Sequence, residues 1–129
     1  MLRQPGSALK PLAVYGPALE LGYTTASVLL DEKTSFGGYT PRNAGDRYYG
    51  LVTMRTAIRN SLNTTAVRLL EEIGLDASIQ YLNKMGIPTR NSDRNLSLAL
   101  GSMTYGVTPV ELAAAYVPYA NGGIYHQPY

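Results

Sequence analysis

The protein has 129 residues, a formal net charge of +2, no Cys, no Trp and a single His. This length favours one domain with a modest core, and a hydrophobic content of 45% excludes a disordered chain. The absence of Cys excludes a disulfide scaffold and a thiolate nucleophile, the charge pattern does not indicate a nucleic-acid partner, and no apolar run approaches the ~18 residues of a membrane span.

The N-terminal third has an irregular pattern. Residues 8–15 can start a helix, which the Gly16-Pro17 pair is expected to break or kink. Residues 27–30 are the best strand candidate before the middle of the chain. Residues 32–50 are rich in Gly and Pro and predict a long loop, in which a short hairpin is also compatible with the pattern; such a loop is usually functional in a compact domain.

Three helices are predicted in the middle of the chain. Thr53 is expected to cap the first, over residues 54–60. The second covers residues 62–73, where apolar side chains recur at helical spacing. The third is expected over residues 77–85, with Asp76 as its cap.

The C-terminal part predicts one more helix and a short strand. Thr108 followed by Pro109 is a typical helix start, and residues 121–123 would end that helix. Residues 123–125 are a strand candidate. His126 is expected at the surface, since no second His or Cys accompanies it as a metal ligand.

Ser7 and Lys10 form the first candidate site. Because residues three apart share a helical face, the Lys10 amine can reach the Ser7 hydroxyl and accept its proton. Lys10 would serve as a base only if burial or a neighbouring cation lowers its pKa. The alternative is a plain helix cap at Ser7 and a solvated Lys10, and a lone S-x-x-K pattern does not decide between them.

Ser61 and Asn63 lie in the predicted break between two helices. At such a turn both side chains can point into a cleft, where a hydroxyl and a carboxamide could relay a proton and bind a peptide amide. Ser and Asn are also preferred cap residues, so the alternative is a purely structural cap of the following helix.

Together, the two pairs and their surroundings resemble the transpeptidase domain of penicillin-binding proteins, and most closely its bifunctional class A branch. The string RQPGSALKP at residues 3–11 is similar to the family's S-x-x-K segment. The string VTMRTAIRNSLNTTAV at residues 52–67 is similar to the segment that carries its S-x-N motif. Other similar stretches occur in the family's order at residues 38–43, 49–50, 97–102, 106–113 and 119–123.

The resemblance implies an acyl transfer without a cofactor or a metal. Ser7 would attack the carbonyl between the two terminal D-alanines of a peptidoglycan stem peptide, and Lys10 would accept its proton. Ser61 would pass a proton to the leaving D-alanine, while Asn63 would hold Lys10 and the substrate amide. An amine of a neighbouring stem would then resolve the acyl-enzyme, and β-lactam antibiotics would trap Ser7 as a stable ester.

The resemblance also implies a mainly α fold: the helical portion of the α+β transpeptidase and β-lactamase-like fold, with most of its antiparallel sheet missing from this chain. Residues 1–129 would be a partial domain, from S-x-x-K to just before the strand with K-[TS]-G. The segment at residues 33–35, KTS, lacks the glycine and precedes S-x-N, so it is not that strand. The implied partners are stem peptides, β-lactams and the missing sheet segments, in a parent anchored in the bacterial membrane with this domain outside.

Because the missing sheet should cover the helices, the apolar faces of Leu112 and Val67 are expected to be partly exposed, and the isolated chain weakly active or inactive. Two other functions remain open. One is a related serine D,D-carboxypeptidase or β-lactamase, which shares both motifs. The other is a non-catalytic helical binding module. Acylation by a fluorescent penicillin would distinguish both enzymes from this module.

Overall fold

The computed structural model describes residues 6–103 together with Leu112, Ala113 and Ala115. These residues are mainly helical and include a two-stranded antiparallel sheet, which confirms the predicted fold class. The regular elements are α1 (Gly16–Glu20), β1 (Val28–Asp31), β2 (Gly50–Thr53), α2 (Met54–Arg59), α3 (Asn63–Ile73) and α4 (Leu75–Lys84). A π-helical turn covers Pro11–Tyr15, and 3₁₀ segments cover Gly6–Leu9, Ala44–Asp46, Asn91–Asp93 and Leu96–Leu100.

The N-terminal helical segment continues from Gly6 to Glu20, so the Gly16-Pro17 pair does not break it, but the helix type changes at this point. Its geometry changes from a 3₁₀ turn through a π-helical turn to α1. In the π-helical turn the Gly16 N–H donates to the carbonyl of Pro11, five residues earlier. This wider turn replaces the i−4 pattern that a proline disrupts, and Pro17 then occupies the first turn of α1, where a missing N–H costs little.

The two strands pair antiparallel, with Val28 opposite Thr53 and Asp31 opposite Gly50. Strand β1 coincides with the predicted strand within one residue. Strand β2 is absent from the prediction, because its four residues lead directly into a helix and show no alternation long enough to indicate a strand. Residues 32–49 connect the strands and are the predicted long loop.

The three central helices are confirmed, one of them with a shifted start. The Thr53 hydroxyl accepts the Thr56 N–H at 3.2 Å and caps α2 as predicted. Gly74, with φ of +92°, ends α3 and is also the residue before α4. Helix α4 therefore begins at Leu75, and Asp76 lies in its first turn instead of capping it. There its carboxylate still faces the positive end of the helix dipole.

The core lies where the N-terminal helical segment, α3, α4 and the 3₁₀ segment Leu96–Leu100 pack together. Val67 on α3 is 0% exposed, so its expected exposure is wrong: elements of this chain alone cover that face of α3. Leu112 is only partly buried against the same core, as expected. Fully buried side chains include Leu9, Leu12, Met54, Leu69, Leu70, Leu82, Ile87 and Leu98.

The predictions for the C-terminal part fall mostly outside the described residues. Of the helix expected after Thr108, Leu112, Ala113 and Ala115 are described and are helical. The strand candidate at residues 123–125 and His126 lie outside. Within the part of the chain that the structure describes, no helix has the length and apolar character required to cross a lipid bilayer.

Candidate active site

Lys10 is the centre of a polar cluster built from distant parts of the sequence. Its side chain is only 3% exposed. The ammonium nitrogen donates to Oγ of Ser61 at 2.9 Å, to the carbonyl oxygen of Ser61 at 2.9 Å and to Oδ1 of Asn63 at 2.7 Å. A lysine that was merely solvated would bury its stem and leave its head in water. Lys10 instead buries its charge among protein acceptors.

Ser61 reaches Lys10 because the chain turns sharply between α2 and α3. Its φ of +50° lies in the left-handed region, which costs a non-glycine residue about 1–2 kcal/mol. The N–H groups of Ser61 and Leu62 close this turn by donating to Ile58 and Ala57. The turn brings both the hydroxyl and the carbonyl of Ser61 to Lys10 while leaving Ser61 exposed to solvent.

Asn63 is the first residue of α3, and both ends of its carboxamide are engaged. Its Oδ1 accepts from Lys10, and its Nδ2 donates to the carbonyl of Arg42 at 2.7 Å. The bond to Arg42 fixes which way the amide points, because only nitrogen can donate. The oxygen therefore faces Lys10.

Ser7 lies in the 3₁₀ turn Gly6–Leu9, three residues before Lys10. In such a turn side chains three residues apart lie on the same face. Ser7 is exposed whereas Lys10 is buried, so the Ser7 hydroxyl is open to an incoming molecule. Lys10 thus contacts both Ser61 and Asn63 directly, and Ser7 is connected to this cluster by its position three residues before Lys10.

Burial changes the acidity of Lys10. Removal from water disfavours the ammonium form and lowers the pKa of Lys10 from its ordinary value to about 8. Lys10 is then neutral in roughly a tenth of the molecules at pH 7, and the neutral amine is the form that can accept a proton. Burial is one of the two causes by which the sequence analysis expected the pKa of Lys10 to fall.

A second polar cluster behind Asn63 was missed by the sequence analysis. Asn43, in the long loop, and Asp31, at the end of β1, are 5% and 1% exposed. Their side chains hydrogen-bond each other at 2.7 Å, and Asn43 also contacts the start of α3. The only signal in the sequence was that Asn43 belongs to a stretch resembling the family, because no local spacing connects it to residues 61–63.

Two further features of the described residues were compared with the predicted site. Within the described residues, no group of His, Cys, Asp and Glu side chains is arranged to hold a metal ion. A cavity of about 330 Å³ is lined by Phe36, Gly37, Tyr39, Asn95, Leu96 and Ser97, and none of these is a predicted site residue.

Comparison with known proteins places the chain in a family. Residues 2–129 match the family described as "Penicillin binding protein transpeptidase domain". Penicillin-binding protein 1F of Bacillus subtilis (strain 168) is 47% identical over 129 residues, which cover 99% of this chain and 18% of that protein. Penicillin-binding protein 4 of the same organism is 42% identical over 125 residues, covering 95% of this chain and 20% of that protein.

A solved structure supports the same assignment. Penicillin-Binding Protein 1A from Haemophilus influenzae superposes with a TM-score of 0.86 at 34% identity, covering 99% of this chain and 20% of that chain. The chain belongs to the penicillin-binding protein transpeptidase domain family, and the predicted class A resemblance is confirmed. It spans about a fifth of the length of these relatives.

Proposed function

We propose that this chain carries the nucleophile and the proton-transfer residues of a serine D,D-transpeptidase that cross-links peptidoglycan. The observation that carries the proposal is the bonding of buried Lys10 to Ser61 and Asn63, which lie 51 and 53 residues further along the chain, while exposed Ser7 precedes Lys10 by three residues. Helix caps and a solvated lysine would not require these residues to meet.

The acceptors around Lys10 suggest how its proton moves. An ammonium group has three N–H donors, and Lys10 has three acceptors around it. The Ser61 carbonyl and the Asn63 oxygen can only accept, whereas the Ser61 hydroxyl can also donate. When Lys10 is neutral, Ser61 can reverse its hydrogen bond and donate to the free lone pair. Ser61 is therefore the partner suited to carry a proton between Lys10 and a leaving group.

Acylation then proceeds by addition to the peptide carbonyl, followed by loss of the terminal D-alanine. The Ser7 oxygen forms a bond to the carbonyl carbon of the penultimate D-alanine, and its proton goes to neutral Lys10. The C–N bond to the terminal D-alanine breaks, and the leaving nitrogen receives a proton from Ser61, which is replenished from Lys10. The products are an ester on Ser7 and free D-alanine.

Deacylation reverses these roles with a new nucleophile. An amine of a second stem peptide forms a C–N bond to the ester carbonyl, and the bond to the Ser7 oxygen breaks. The attacking nitrogen passes its excess proton through Ser61 to Lys10, and Lys10 gives one proton to the departing Ser7 oxygen. A β-lactam would follow only the first half, because its opened ring keeps the leaving nitrogen attached to the acyl group.

The proposal extends to the setting of the chain. Residues 1–129 are part of a transpeptidase domain, and the strand that binds the substrate carboxylate comes from the sheet segments outside them. Because peptidoglycan lies outside the cell membrane, this domain works on the extracytoplasmic face of a membrane-anchored parent.

The test is acylation of the complete gene product by a fluorescent penicillin. We expect one label per protein, with the mass increase mapped by peptide mass spectrometry to the peptide that contains Ser7. Ser7→Ala abolishes the label, while Ser35→Ala, at another exposed serine, leaves it unchanged. Absence of labelling in the wild-type protein would support the non-catalytic binding module instead.

The fate of the label separates the two enzyme classes. A transpeptidase holds the penicilloyl ester for much longer than the assay and transfers a stem-peptide acyl group to an added amine. A β-lactamase would release the penicilloyl group by hydrolysis, and a D,D-carboxypeptidase would hydrolyse the stem-peptide acyl group at a rate that added amine does not change.

A further inference from the structure

Helix α3 begins without a cap of its own. The residue before it is Leu62, whose side chain cannot accept a hydrogen bond from the first helical N–H groups. Asn43 supplies the missing acceptor from the long loop, 20 residues earlier. Its Oδ1 accepts the Asn63 N–H at 2.8 Å and the Thr64 N–H at 3.1 Å. The cap of α3 is thus delivered by a tertiary contact.

Asp31 holds Asn43 in the orientation that this cap needs. The Asn43 amide nitrogen donates to Oδ1 of Asp31 at 2.7 Å and to the carbonyl of Arg47 at 2.8 Å. The Asp31 carboxylate also accepts from the Tyr49 N–H at 2.9 Å and from the Thr64 hydroxyl. Because a carboxylate accepts only, it forces the nitrogen of Asn43 towards itself and the oxygen towards α3.

Asn63 connects this buried pair to the candidate active site. Its backbone N–H is held by Asn43, and its side chain bridges the carbonyl of Arg42, the residue before Asn43, and the ammonium of Lys10. A displacement of Asn43 would therefore move both the backbone and the side chain of Asn63. Lys10 would lose its shortest hydrogen bond and its fixed direction towards Ser61.

We propose that Asn43, oriented by Asp31, is a positioning residue for acyl transfer, acting through Asn63 on Lys10. The inference rests on the proposed function, since it assigns Asn43 a part in the same reaction. A misplacement of a reacting group by about 1 Å can cost roughly 100-fold in rate. Removal of Asn43 should accordingly slow the chemical step, whereas the noncovalent binding of substrate should change little.

The experiment resolves acylation by a fluorescent penicillin in a stopped-flow instrument, using the complete gene product. It yields the first-order acylation rate constant, the dissociation constant of the noncovalent complex and the fraction of protein labelled. Asn43→Ala should lower the rate constant about 10- to 100-fold, while full labelling is still reached and the dissociation constant stays within about threefold. A purely structural role would instead reduce the labelled fraction and leave the rate constant of that fraction unchanged, which would overturn the inference.

Two further variants keep the test decisive where Asn43→Ala fails to fold. Asn43→Asp retains the acceptor for α3 but faces Asp31 with a second carboxylate, so its acylation rate should also fall. Adding Asp31→Asn to this variant leaves one carboxylate in the pair, as in the wild type. The amide at position 31 can then donate to the carboxylate at position 43, which reverses the direction of the wild-type hydrogen bond. We expect this double variant to acylate at least about fivefold faster than Asn43→Asp alone. A double variant no faster than the single one would overturn the inference.

Thr53→Ala is the matched control. This variant removes the side-chain cap of α2, just as Asn43→Ala removes the side-chain cap of α3. In the described structure Thr53 makes no hydrogen bond with Lys10, Ser61 or Asn63. Its acylation rate constant should match the wild type, and a fall as large as that of Asn43→Ala would overturn the inference. Failure of the proposed function is distinguishable, because the wild-type protein would then carry no label on Ser7.

Discussion

The ammonium nitrogen of Lys10 lies 2.7 Å from Oδ1 of Asn63. This acceptor is neutral, and the bond from its own amide nitrogen to the Arg42 carbonyl keeps the oxygen turned towards Lys10. A neutral acceptor stabilises an ammonium group less than a carboxylate would. Asn63 can therefore orient Lys10 without cancelling the effect of burial, which lowers the pKa of Lys10 to about 8.

Asn63→Asp should raise the pKa of Lys10 and slow acylation at neutral pH. A carboxylate beside an ammonium group favours the charged form and shifts its pKa by about 1–3 units. Less of Lys10 is then neutral, and the rate at pH 7 should fall by about 10-fold or more, with recovery at higher pH. The measurement is the midpoint of the acylation rate against pH. Asn60→Asp, which adds the same charge at an exposed position, should leave the midpoint in place.

The acylation rate constant of the wild-type protein should increase with pH, with a midpoint near the pKa of Lys10, which is about 8. The active form of a general base is the neutral amine, which is lost as the pH falls below this value. The second-order rate constant for penicillin labelling should therefore decrease about tenfold per pH unit below the midpoint and level off above it. A rate that stays constant between about pH 6 and 9 would show that Lys10 is not the proton acceptor.

The sequence predicts the four candidate residues because their signals are local. Ser7 and Lys10 are one helical turn apart, and Ser61 and Asn63 stand where one helix stops and the next begins. Helix caps and turns depend on short-range hydrogen bonds, so their residue types are informative without knowledge of the fold. The meeting of the two pairs was predicted only by the family resemblance, since no spacing rule brings residues 51 positions apart into contact.

The features that could not be predicted depend on tertiary contacts. Asn43 caps a helix that starts 20 residues later, and the sequence contains no signal for this until the loop is folded. The burial of Val67 depends on which segments pack against α3, and hydrophobic spacing shows only that α3 has an apolar face. The π-helical turn before Gly16 is a rare conformation, and no local spacing in the sequence predicts it.

Gly101→Ala should displace the segment that carries Ser7 and lower the acylation rate constant. Gly101 has φ of +81°, and a Cβ atom at this position would overlap the backbone of Gly6, next to Ser7. The Gly6 backbone must then shift, and a nucleophile displaced by about 1 Å can lose roughly 100-fold in rate. The measurement is the acylation rate constant with a fluorescent penicillin.

Gly22→Ala is the control that distinguishes the steric clash at Gly101 from the backbone strain that a positive φ causes at both positions. Gly22 also has a positive φ, +103°, but a Cβ atom there would meet nothing within 4 Å. This variant should lose some stability through strain and keep the wild-type acylation rate constant. Equal acylation rates in Gly101→Ala and Gly22→Ala would show that the contact between Gly101 and Gly6 does not position Ser7.

Val67→Ala should destabilise the domain because the side chain of Val67 is fully buried. Truncation removes two methyl groups from a packed core and leaves a small cavity, with an expected loss of about 1–3 kcal/mol in the free energy of unfolding. Val28→Ala removes the same atoms from a side chain that is 63% exposed, and should cost less than about 0.5 kcal/mol. The measurement is the temperature at which heating removes half of the penicillin-labelling capacity of the complete gene product. A larger fall for Val67→Ala than for Val28→Ala is expected. Equal midpoints in the two variants would mean that this face of α3 is not part of the core on which the site is built.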